Sequence, residues 1–196
     1  MGRIYMLIGK SASGKDKIYR SLIDDRRLNL NPIILYTTRP MREGESEGTE
    51  YHFTDIPHMK LLRDKGLIIE ERVYHTIFGD WYYFTADDGS IDIEKDKEYI
   101  TIGTIDSFVK MKDYFGDENI CPVYIEVDDE IRLLRAIERE KKQPKPAYKE
   151  LCRRFISDCE DFSDERLKNA GINKSFSNNS TLEECISNIK SYINKK

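Results

Sequence analysis

The sequence predicts an α/β fold of three layers, in which helices cover both faces of a central parallel sheet. Four short apolar runs rich in Ile, Leu, Val and Tyr recur along the chain, and such runs are typical of strands buried on both faces. Helical patterns separate several of the runs, as strand, helix, strand units require. The four runs are residues 4–8, 33–35, 98–103 and 123–127.

A glycine-rich turn follows the first apolar run directly and precedes a helical stretch. Glycines let the backbone approach an anion closely, successive N–H groups point inward, and the N-terminus of the next helix adds positive potential. Lys15 can reach the outer phosphates of a bound nucleotide. The spacing G-x-x-x-x-G-K is complete, and it indicates an ATP-binding loop of the P-loop NTPase type. The loop residues are Gly9, Lys10, Ser11, Ala12, Ser13, Gly14, Lys15 and Asp16.

The residue after the loop lysine departs from the usual pattern. A Ser or Thr at this position normally contacts Mg²⁺ through its hydroxyl group, but this chain has Asp16. A carboxylate beside a triphosphate repels it unless a cation lies between them. We therefore expect Asp16 to bind Mg²⁺, directly or through water.

Two helices are expected to pack on the sheet. After the loop, Ile18, Leu22 and Ile23 share one face of a crossover helix, which is expected to end before Pro32. A second apolar stripe at helical spacing begins after Thr181. This stripe predicts a terminal helix that packs on the core.

A helix-loop-helix excursion is predicted between the last apolar run and the terminal helix. Residues 132–142 are strongly charged and carry only a narrow apolar stripe, residues 143–148 contain two prolines, and residues 149–161 resume a helical pattern. A helix pair of this kind has a charged face available for anions. It can serve as a lid over a bound nucleotide.

A second cluster of candidate functional side chains lies between residues 36 and 53. Arg39, Arg42 and Tyr51 occur within a short stretch that contains two glycines and is bounded by apolar runs. Two guanidinium groups and a phenol suit a phosphate dianion, because Arg offers paired donors and stays charged. The alternative interpretation is a solvated charged loop.

This stretch resembles the acceptor-binding segment of the guanylate kinase family. The resemblance is carried by Thr37-Thr-Arg-Pro-x-Arg-x-Gly-Glu and then Gly48-x-x-Tyr-x-Phe53. With the phosphate loop, it implies a single domain, 1–196, with the P-loop NTPase fold, a nucleoside-monophosphate-binding arm and a helical lid. The implied division places the core at about 1–32, 86–130 and 155–196, the arm at about 33–85 and the lid at about 131–154.

The resemblance continues downstream and implies roles for three acceptor-side residues. A Leu-Ile-Ile-Glu sequence ends at Glu70, which would accept the N1 and N2 protons of guanine. A Gly-Asp-Trp-Tyr sequence ends at Tyr82, which would contact the acceptor phosphate, and an Ile-Asp pair ends at Asp106, near acceptor and metal. Each has a plainer interpretation, respectively a surface carboxylate beside Glu71, an aromatic core residue and a helix cap.

The resemblance also implies residues on the donor side. Arg135 and Arg139 are four apart, one helical turn, so both can face the phosphates, and they resemble the lid arginines of the family. Arg154 resembles a later lid arginine, and Asn179 lies in an asparagine turn expected near the adenine ring. A solvated charged helix face is the alternative interpretation for the arginines.

Two further departures limit what the resemblance implies. Four residues before Arg39, where the family places a Ser that hydrogen-bonds guanine O6, this chain has Leu35, which cannot donate. The acceptor base is therefore left open. The segment between Glu70 and Tyr82 is about three residues longer than in typical members, which leaves the register of its aromatic residues open.

The expected activity is transfer of the ATP γ-phosphoryl group to a nucleoside monophosphate, GMP to GDP, with Mg²⁺ as cofactor and ATP as co-substrate. Lys15, Arg39, Arg135, Arg139 and Arg154 are the expected catalytic residues. One alternative is another phosphorylated acceptor, such as ribose bisphosphate. The other is a binding module that does not catalyse, although such a module has no need of nucleotide-directed cations.

Composition narrows the range of partners. The 196 residues carry a net charge of −4, so no basic excess suggests a protein that coats nucleic acid. No apolar stretch approaches the roughly 20 residues that cross a bilayer, and the chain enters the phosphate loop without room for a signal peptide. We expect a cytoplasmic protein, monomer or homodimer, with small nucleotides, ATP and GMP, as partners and neither nucleic acid nor membrane.

Overall fold

A computed structural model describes residues 2–76 and 78–195 of the chain. The strands are β1 (Ile4–Ile8), β2 (Leu30–Pro32), β3 (Tyr36–Thr37), β4 (His52–Phe53), β5 (Ile68–Thr76), β6 (Gly79–Ala86), β7 (Glu98–Ile102), β8 (Ile120–Glu126) and β9 (Ser175–Ser177). The helices are α1 (Lys15–Ile23), α2 (Ile56–Asp64), α3 (Ile105–Phe115), α4 (Asp129–Lys141), α5 (Tyr148–Asp161), α6 (Asp164–Asn169) and α7 (Leu182–Ile193).

The central sheet has five parallel strands in the order β2-β7-β1-β8-β9. Every residue of β1 is buried, and its side chains alternate between two apolar clusters. Met6 belongs to the cluster that contains Phe108 of α3, whereas Leu7 belongs to the cluster that contains Ile18 of α1 and Ile189 of α7. Helices therefore cover both faces of the sheet, which confirms the predicted α/β fold.

Two strand predictions differ from the structure. The second strand is Leu30–Pro32 and not residues 33–35. Ile33 is still buried and its N–H donates to the carbonyl of Ile100, but the chain then leaves the sheet toward the arm. Strand β9 was not predicted. Only Phe176 of its three residues is buried, and three residues are too few to show the alternation of apolar and polar side chains that marks a strand.

A second, mixed sheet forms the arm, in the order β4-β3-β6-β5. Strands β5 and β6 make an antiparallel hairpin, and β3 pairs antiparallel with β6 and parallel with β4. Helix α2 packs on this sheet through Met59 and Leu62, which share a small apolar cluster with Phe84. The arm therefore has its own small core, separate from the central sheet.

Helices α4 and α5 lie where the helix-loop-helix excursion was predicted, and residues 142–147 join them. Glu140 accepts a hydrogen bond from the N–H of Ala147 at 2.5 Å, which ties the connecting turn to α4. A motion of these helices as a lid stays a prediction. Among the residues that the structure describes, no helix is long and apolar enough to cross a membrane.

Candidate functional site

The phosphate loop has the conformation that its glycines permit. Gly14 has φ +91°, a left-handed conformation that a side chain rarely adopts. A Cβ atom at this position would also lie 2.7 Å from Nδ2 of Asn178. This amide nitrogen donates to the carbonyl of Ser13 at 2.8 Å. The close approach of Asn178 to the loop therefore requires glycine at position 14.

Lys15 is the first residue of α1 and is folded back over the loop. Its Nζ donates to the carbonyl of Lys10 at 3.3 Å. Burial lowers the pKa of Lys15, against the carboxylates of Asp16 and Asp158, which raise it. Asp16 is exposed in the first turn of the same helix. The loop thus presents backbone donors, one ammonium group and one carboxylate to the same space.

The two asparagines after β9 have different contacts. Asn179 makes two hydrogen bonds to Asp128, from its Nδ2 to the carboxylate and from the Asp128 N–H to its Oδ1, both 2.9 Å. It therefore holds the start of α4. Asn178 holds the phosphate loop, and its carbonyl accepts a hydrogen bond from Arg135 at 2.9 Å. Of the predicted lid arginines, Arg135 is thereby linked through Asn178 to the loop.

An ion pair between α4 and α5 contacts the phosphate loop and was not predicted. Arg132 on α4 is 1% exposed, donates to Asp158 of α5 at 3.0 Å and stacks on the ring of Phe155 at 4.1 Å. Asp158 also accepts the N–H of Ser11 at 2.7 Å. Its 147-residue separation from Ser11 left no local signal in the sequence. The sequence does hold one signal for this cluster, because Asp129 and Arg132 are three residues apart and therefore lie on one face of a helix.

Arg139 and Arg154 converge on the same part of the loop. Both line a small recess with Ser11 and Phe155. Arg154 is half-exposed, and its Nε lies 3.5 Å from a carboxylate oxygen of Glu150. The structure thus brings two of the predicted lid arginines together beside the phosphate loop.

A cavity of about 970 Å³ lies between the central sheet and the arm. On the loop side it is lined by Lys15 and Asp16, and on the arm side by Arg42 and Tyr51. Burial raises the pKa of Tyr51, which keeps its phenol protonated and able to donate. Leu35 also lines this cavity. Candidate donor and acceptor groups therefore line one open cavity.

Arg39, the first of the two arginines expected to bind the acceptor phosphate, instead forms an ion pair with Glu45. It is 3% exposed, and its NH1 and NH2 donate to the two carboxylate oxygens of Glu45 at 2.7 and 2.5 Å. Its guanidinium also lies over the ring of Tyr51, 5.1 Å from the centroid. In this conformation Arg39 orients Tyr51 and Glu45, and only Arg42 of the two arginines lines the cavity.

The structure separates the two adjacent glutamates of β5. Glu70 is 2% exposed and accepts hydrogen bonds from the hydroxyls of Thr85 at 2.9 Å and Ser107 at 3.0 Å. Glu71 points to the opposite face, where Arg63 of α2 makes a two-pronged ion pair with it. The plainer interpretation, a surface carboxylate, therefore applies to Glu71.

The register of the aromatic segment differs from the one implied by the resemblance. Side chains alternate along β6, so Thr85, which contacts Glu70, shares its face with Tyr83 and not with Tyr82. Tyr83 lines the cavity, 5.5 Å from Tyr51 between ring centroids, whereas Tyr82 packs against the small core of the arm. On β6 the tyrosine that faces the cavity is therefore Tyr83 and not Tyr82.

The predicted Asp106 does not lie at the cavity. Its carboxylate is exposed and accepts a hydrogen bond from Arg166 at 2.6 Å. The following residue, Ser107, reaches Glu70 instead, because Thr104 caps α3 and aims the first turn at the arm. Ser107 had no motif of its own in the sequence and was missed.

Comparison with known proteins agrees with these features. The family model described as guanylate kinase matches residues 1–108, more than half of the chain. A guanylate kinase of Helicobacter hepaticus is 32% identical over 116 residues, 59% of this chain and 56% of that protein. One of Mannheimia succiniciproducens is 33% identical over 86 residues, 43% of this chain and 40% of that protein. The chain thus matches only about half the length of these relatives.

A solved structure extends the likeness to the whole fold. The guanylate kinase of Anaplasma phagocytophilum superposes with a TM-score of 0.67 at 18% identity, covering 99% of this chain and 85% of that one. At this identity the superposition shows the fold alone, including helices α4 and α5 beyond residue 108. The matched loop, arm and central sheet therefore lead to one conclusion: the chain belongs to the guanylate kinase family.

Proposed function

We propose that this protein transfers the γ-phosphoryl group of ATP to GMP, giving ADP and GDP. The proposal rests on one observation. The same cavity is lined by Lys15 and Asp16 of the phosphate loop and by Arg42 and Tyr51 of the arm. In-line transfer requires a donor phosphate and an acceptor phosphate in one water-restricted space, and this cavity supplies groups for both.

On the donor side, backbone N–H groups of the loop and the N-terminus of α1 hold the triphosphate, and Lys15 reaches its outer phosphates. Arg135, Arg139 and Arg154 neutralise the charge that spreads over the transferring group. The acceptor's own phosphate oxygen attacks, so no covalent nucleophile is needed from the protein. Catalysis is then mainly positioning and electrostatic stabilisation.

On the acceptor side, we assign the phosphate to Arg42, Tyr51 and Tyr83, with Arg39 contributing if Glu45 releases it. Tyr83 takes the role that the resemblance implies for Tyr82, because it is the tyrosine on the cavity side of β6. Glu70 is assigned to the base, and Ser107 supports it in place of Asp106.

Magnesium fits the loop through Asp16. Within the described residues no group of three His, Cys, Asp or Glu side chains could hold a metal ion. Mg²⁺ does not need one, because it commonly binds one or two carboxylates together with substrate phosphates and water. Asp16 lies in the cavity next to Lys15 and supplies one such carboxylate. When bound, the ion would screen the phosphate charge.

The experiment that tests the activity is ADP release from ATP with GMP, dGMP, AMP, UMP, CMP and ribose bisphosphate, with the phosphorylated product identified by chromatography. We expect GDP formation to exceed every other product. Ribose bisphosphate as the best acceptor would replace GMP in the proposal. Absence of any acceptor phosphorylation, with no heat when MgATP is titrated, would leave the binding-module alternative.

Lys15→Met tests the donor side. Because the ammonium group offsets charge at the outer phosphates, we expect kcat to fall by at least about 100-fold. Lys17→Met is the matched control, since Lys17 is an exposed lysine on the same helix and lies outside the cavity lining. Near-normal turnover in the Lys15 variant would rule out the assigned role.

A further inference from the structure

One face of the β5–β6 hairpin forms a wall of the cavity. Side chains two residues apart share a face of a strand, so Arg72, which lines the cavity, lies next to Glu70, which is 2% exposed and lies behind the lining residues. Arg72 pairs across the hairpin with Tyr83, and both line the cavity. The Arg72 guanidinium therefore lies at the acceptor end of the cavity, directly over the Glu70 carboxylate.

Glu70 retains capacity to accept further hydrogen bonds. The hydroxyls of Thr85 and Ser107 donate one bond to each of its oxygens, which uses about half of the roughly four acceptor positions of a carboxylate. Because the two hydroxyls approach from the protein interior, they also fix the orientation of the carboxylate. Its remaining acceptor positions are covered by Arg72 in this conformation.

Arg72 is held loosely. Its Nε lies 3.3 Å from one Glu70 oxygen without making a hydrogen bond, and its NH2 donates to the other at 3.5 Å. Charge-assisted bonds in proteins are about 2.7–2.9 Å long, and the Arg39–Glu45 pair of the same arm is at 2.5–2.7 Å. The guanidinium of Arg72 therefore has donors left for a ligand in the cavity.

The chemistry of this pair matches one nucleobase. Guanine presents two donors, N1–H and N2–H, next to two acceptors, O6 and N7, and Arg binds O6 and N7 with its planar fork. Adenine has a donor at N6 where guanine has the acceptor O6, so the N–H donors of Arg would face another donor. Leu35, also in the cavity lining, has no hydrogen-bonding group to offer O6.

We propose that Arg72 is a specificity-determining residue that donates to O6 and N7 of the acceptor guanine, while the adjacent Glu70 accepts from N1 and N2. This inference rests on the proposed function and deepens it. Arg72 supplies, from the hairpin wall, the donor that Leu35 lacks. Binding of guanine then exchanges the loose Arg72–Glu70 contact for direct contacts of both side chains with the base.

Arg72→Met tests the inference by steady-state kinetics with GMP and AMP. We expect kcat/KM for GMP to fall by about 10- to 100-fold, mainly through KM, with the ATP KM and the AMP rate unchanged. Adding Leu35→Ser to this variant restores a donor and should recover part of the loss. Arg63→Met is the matched control, because Arg63 pairs with Glu71 on the other side of the hairpin, and it should change nothing.

A base analogue gives a second measurement. The monophosphate of 7-deazaguanosine lacks the N7 acceptor, so the wild-type protein should use it several-fold less well than GMP, and Arg72→Met should not distinguish the two. If Arg72→Met does not fold, Arg72→Lys keeps a cation beside Glu70 but has no planar fork. In the Arg72→Lys variant, kcat/KM for GMP should also fall.

Three outcomes would overturn the inference. If GMP is phosphorylated and both Arg72 variants keep the wild-type ratio of GMP to AMP turnover, Arg72 does not read the base. If the two Arg72 variants raise GMP turnover, then Arg72 blocks the Glu70 carboxylate and does not bind the base. If the wild-type protein phosphorylates no nucleoside monophosphate, the proposed function fails and this inference fails with it, which the wild-type assay alone distinguishes from the first two.

Discussion

Two of the arm carboxylates that contact arginines, Glu45 and Glu70, are held in different ways. Glu45 binds both prongs of the buried Arg39 at 2.7 and 2.5 Å. Glu70 contacts Arg72 only at 3.3 and 3.5 Å and is fixed by two hydroxyl groups. Short, paired bonds favour a structural role for the Arg39–Glu45 pair, whereas the looser pair can exchange its partner for a ligand.

The Arg39–Glu45 pair should make the stability of the protein depend on pH. Hydrogen bonds from Arg39 lower the pKa of Glu45 from 4.5 to about 2. A lowered folded-state pKa stabilises the native state above the unfolded value, and this contribution is lost as the pH falls through the folded value. We expect Glu45→Gln to melt below the wild-type temperature at pH 6, and the difference to shrink between about pH 4.5 and pH 2.

Thermal melts at each pH, followed by circular dichroism, measure this difference. Glu43→Gln is the control, because Glu43 is an exposed glutamate of the same loop and its replacement removes the same charge. A difference between Glu45→Gln and wild type that stays constant from pH 6 to pH 2 would contradict the assignment.

Helices α4 and α5 are joined to the phosphate loop through Asp158. Its carboxylate accepts from Ser11 N–H at 2.7 Å and from the buried Arg132 at 3.0 Å. Arg132 also donates to the carbonyl of Ser11 at 3.4 Å. Helices α4 and α5 and the phosphate loop are thus coupled by hydrogen bonds, so a change in the helices should alter the loop.

Asp158→Asn keeps the size of the side chain and removes its charge. Within the described part of the chain, Asp129 is then the one charged partner left to Arg132, so we expect a loss of about 1–3 kcal/mol in the free energy of unfolding, together with weaker MgATP binding. Urea unfolding and calorimetry measure the two effects.

Asp161→Asn is the control on the same helix, since Asp161 forms an exposed ion pair with Arg166 that is worth at most about 1 kcal/mol. Equal stability of Asp158→Asn and Asp161→Asn would show that the loop contact does not hold the lid helices. Tighter MgATP binding by Asp158→Asn would show that the carboxylate competes with the nucleotide for the Ser11 amide.

For the molecule as a whole, the proposed reaction requires the arm and the lid to approach each other. Arg42 and Tyr51 line the cavity from the arm, while Arg139 and Arg154 lie in a separate recess beside Ser11. Phosphoryl transfer needs both sets around one phosphate with water excluded. We therefore expect a closed state that donor and acceptor together stabilise more than either does alone.

Small-angle X-ray scattering tests closure. A domain of this length has a radius of gyration of about 16 Å when compact. We expect the radius to decrease when GMP and a non-hydrolysable ATP analogue with Mg²⁺ are both present, and to change less with either alone. Lys15→Met, which weakens the donor site, should require more analogue for the same decrease. An unchanged radius at saturation with both ligands would contradict closure.

The sequence by itself determined three of the five strands of the central sheet, the phosphate loop and the positions of α4 and α5. These features depend on local patterns, namely a continuous apolar run at Ile4–Ile8, glycines at fixed spacing and charged helices that two prolines interrupt. Local patterns are readable because the residues that make them are adjacent in the chain.

Only the tertiary structure decided which side chains meet. Pairing across β5 and β6 selected Tyr83 over Tyr82, and the cap of α3 brought Ser107 to Glu70 in place of Asp106. The contact of Asp158 with Ser11 joins residues 147 positions apart. Strand register and helix packing bring together residues distant in sequence, and shifting a strand by one residue reverses which side chains face the cavity.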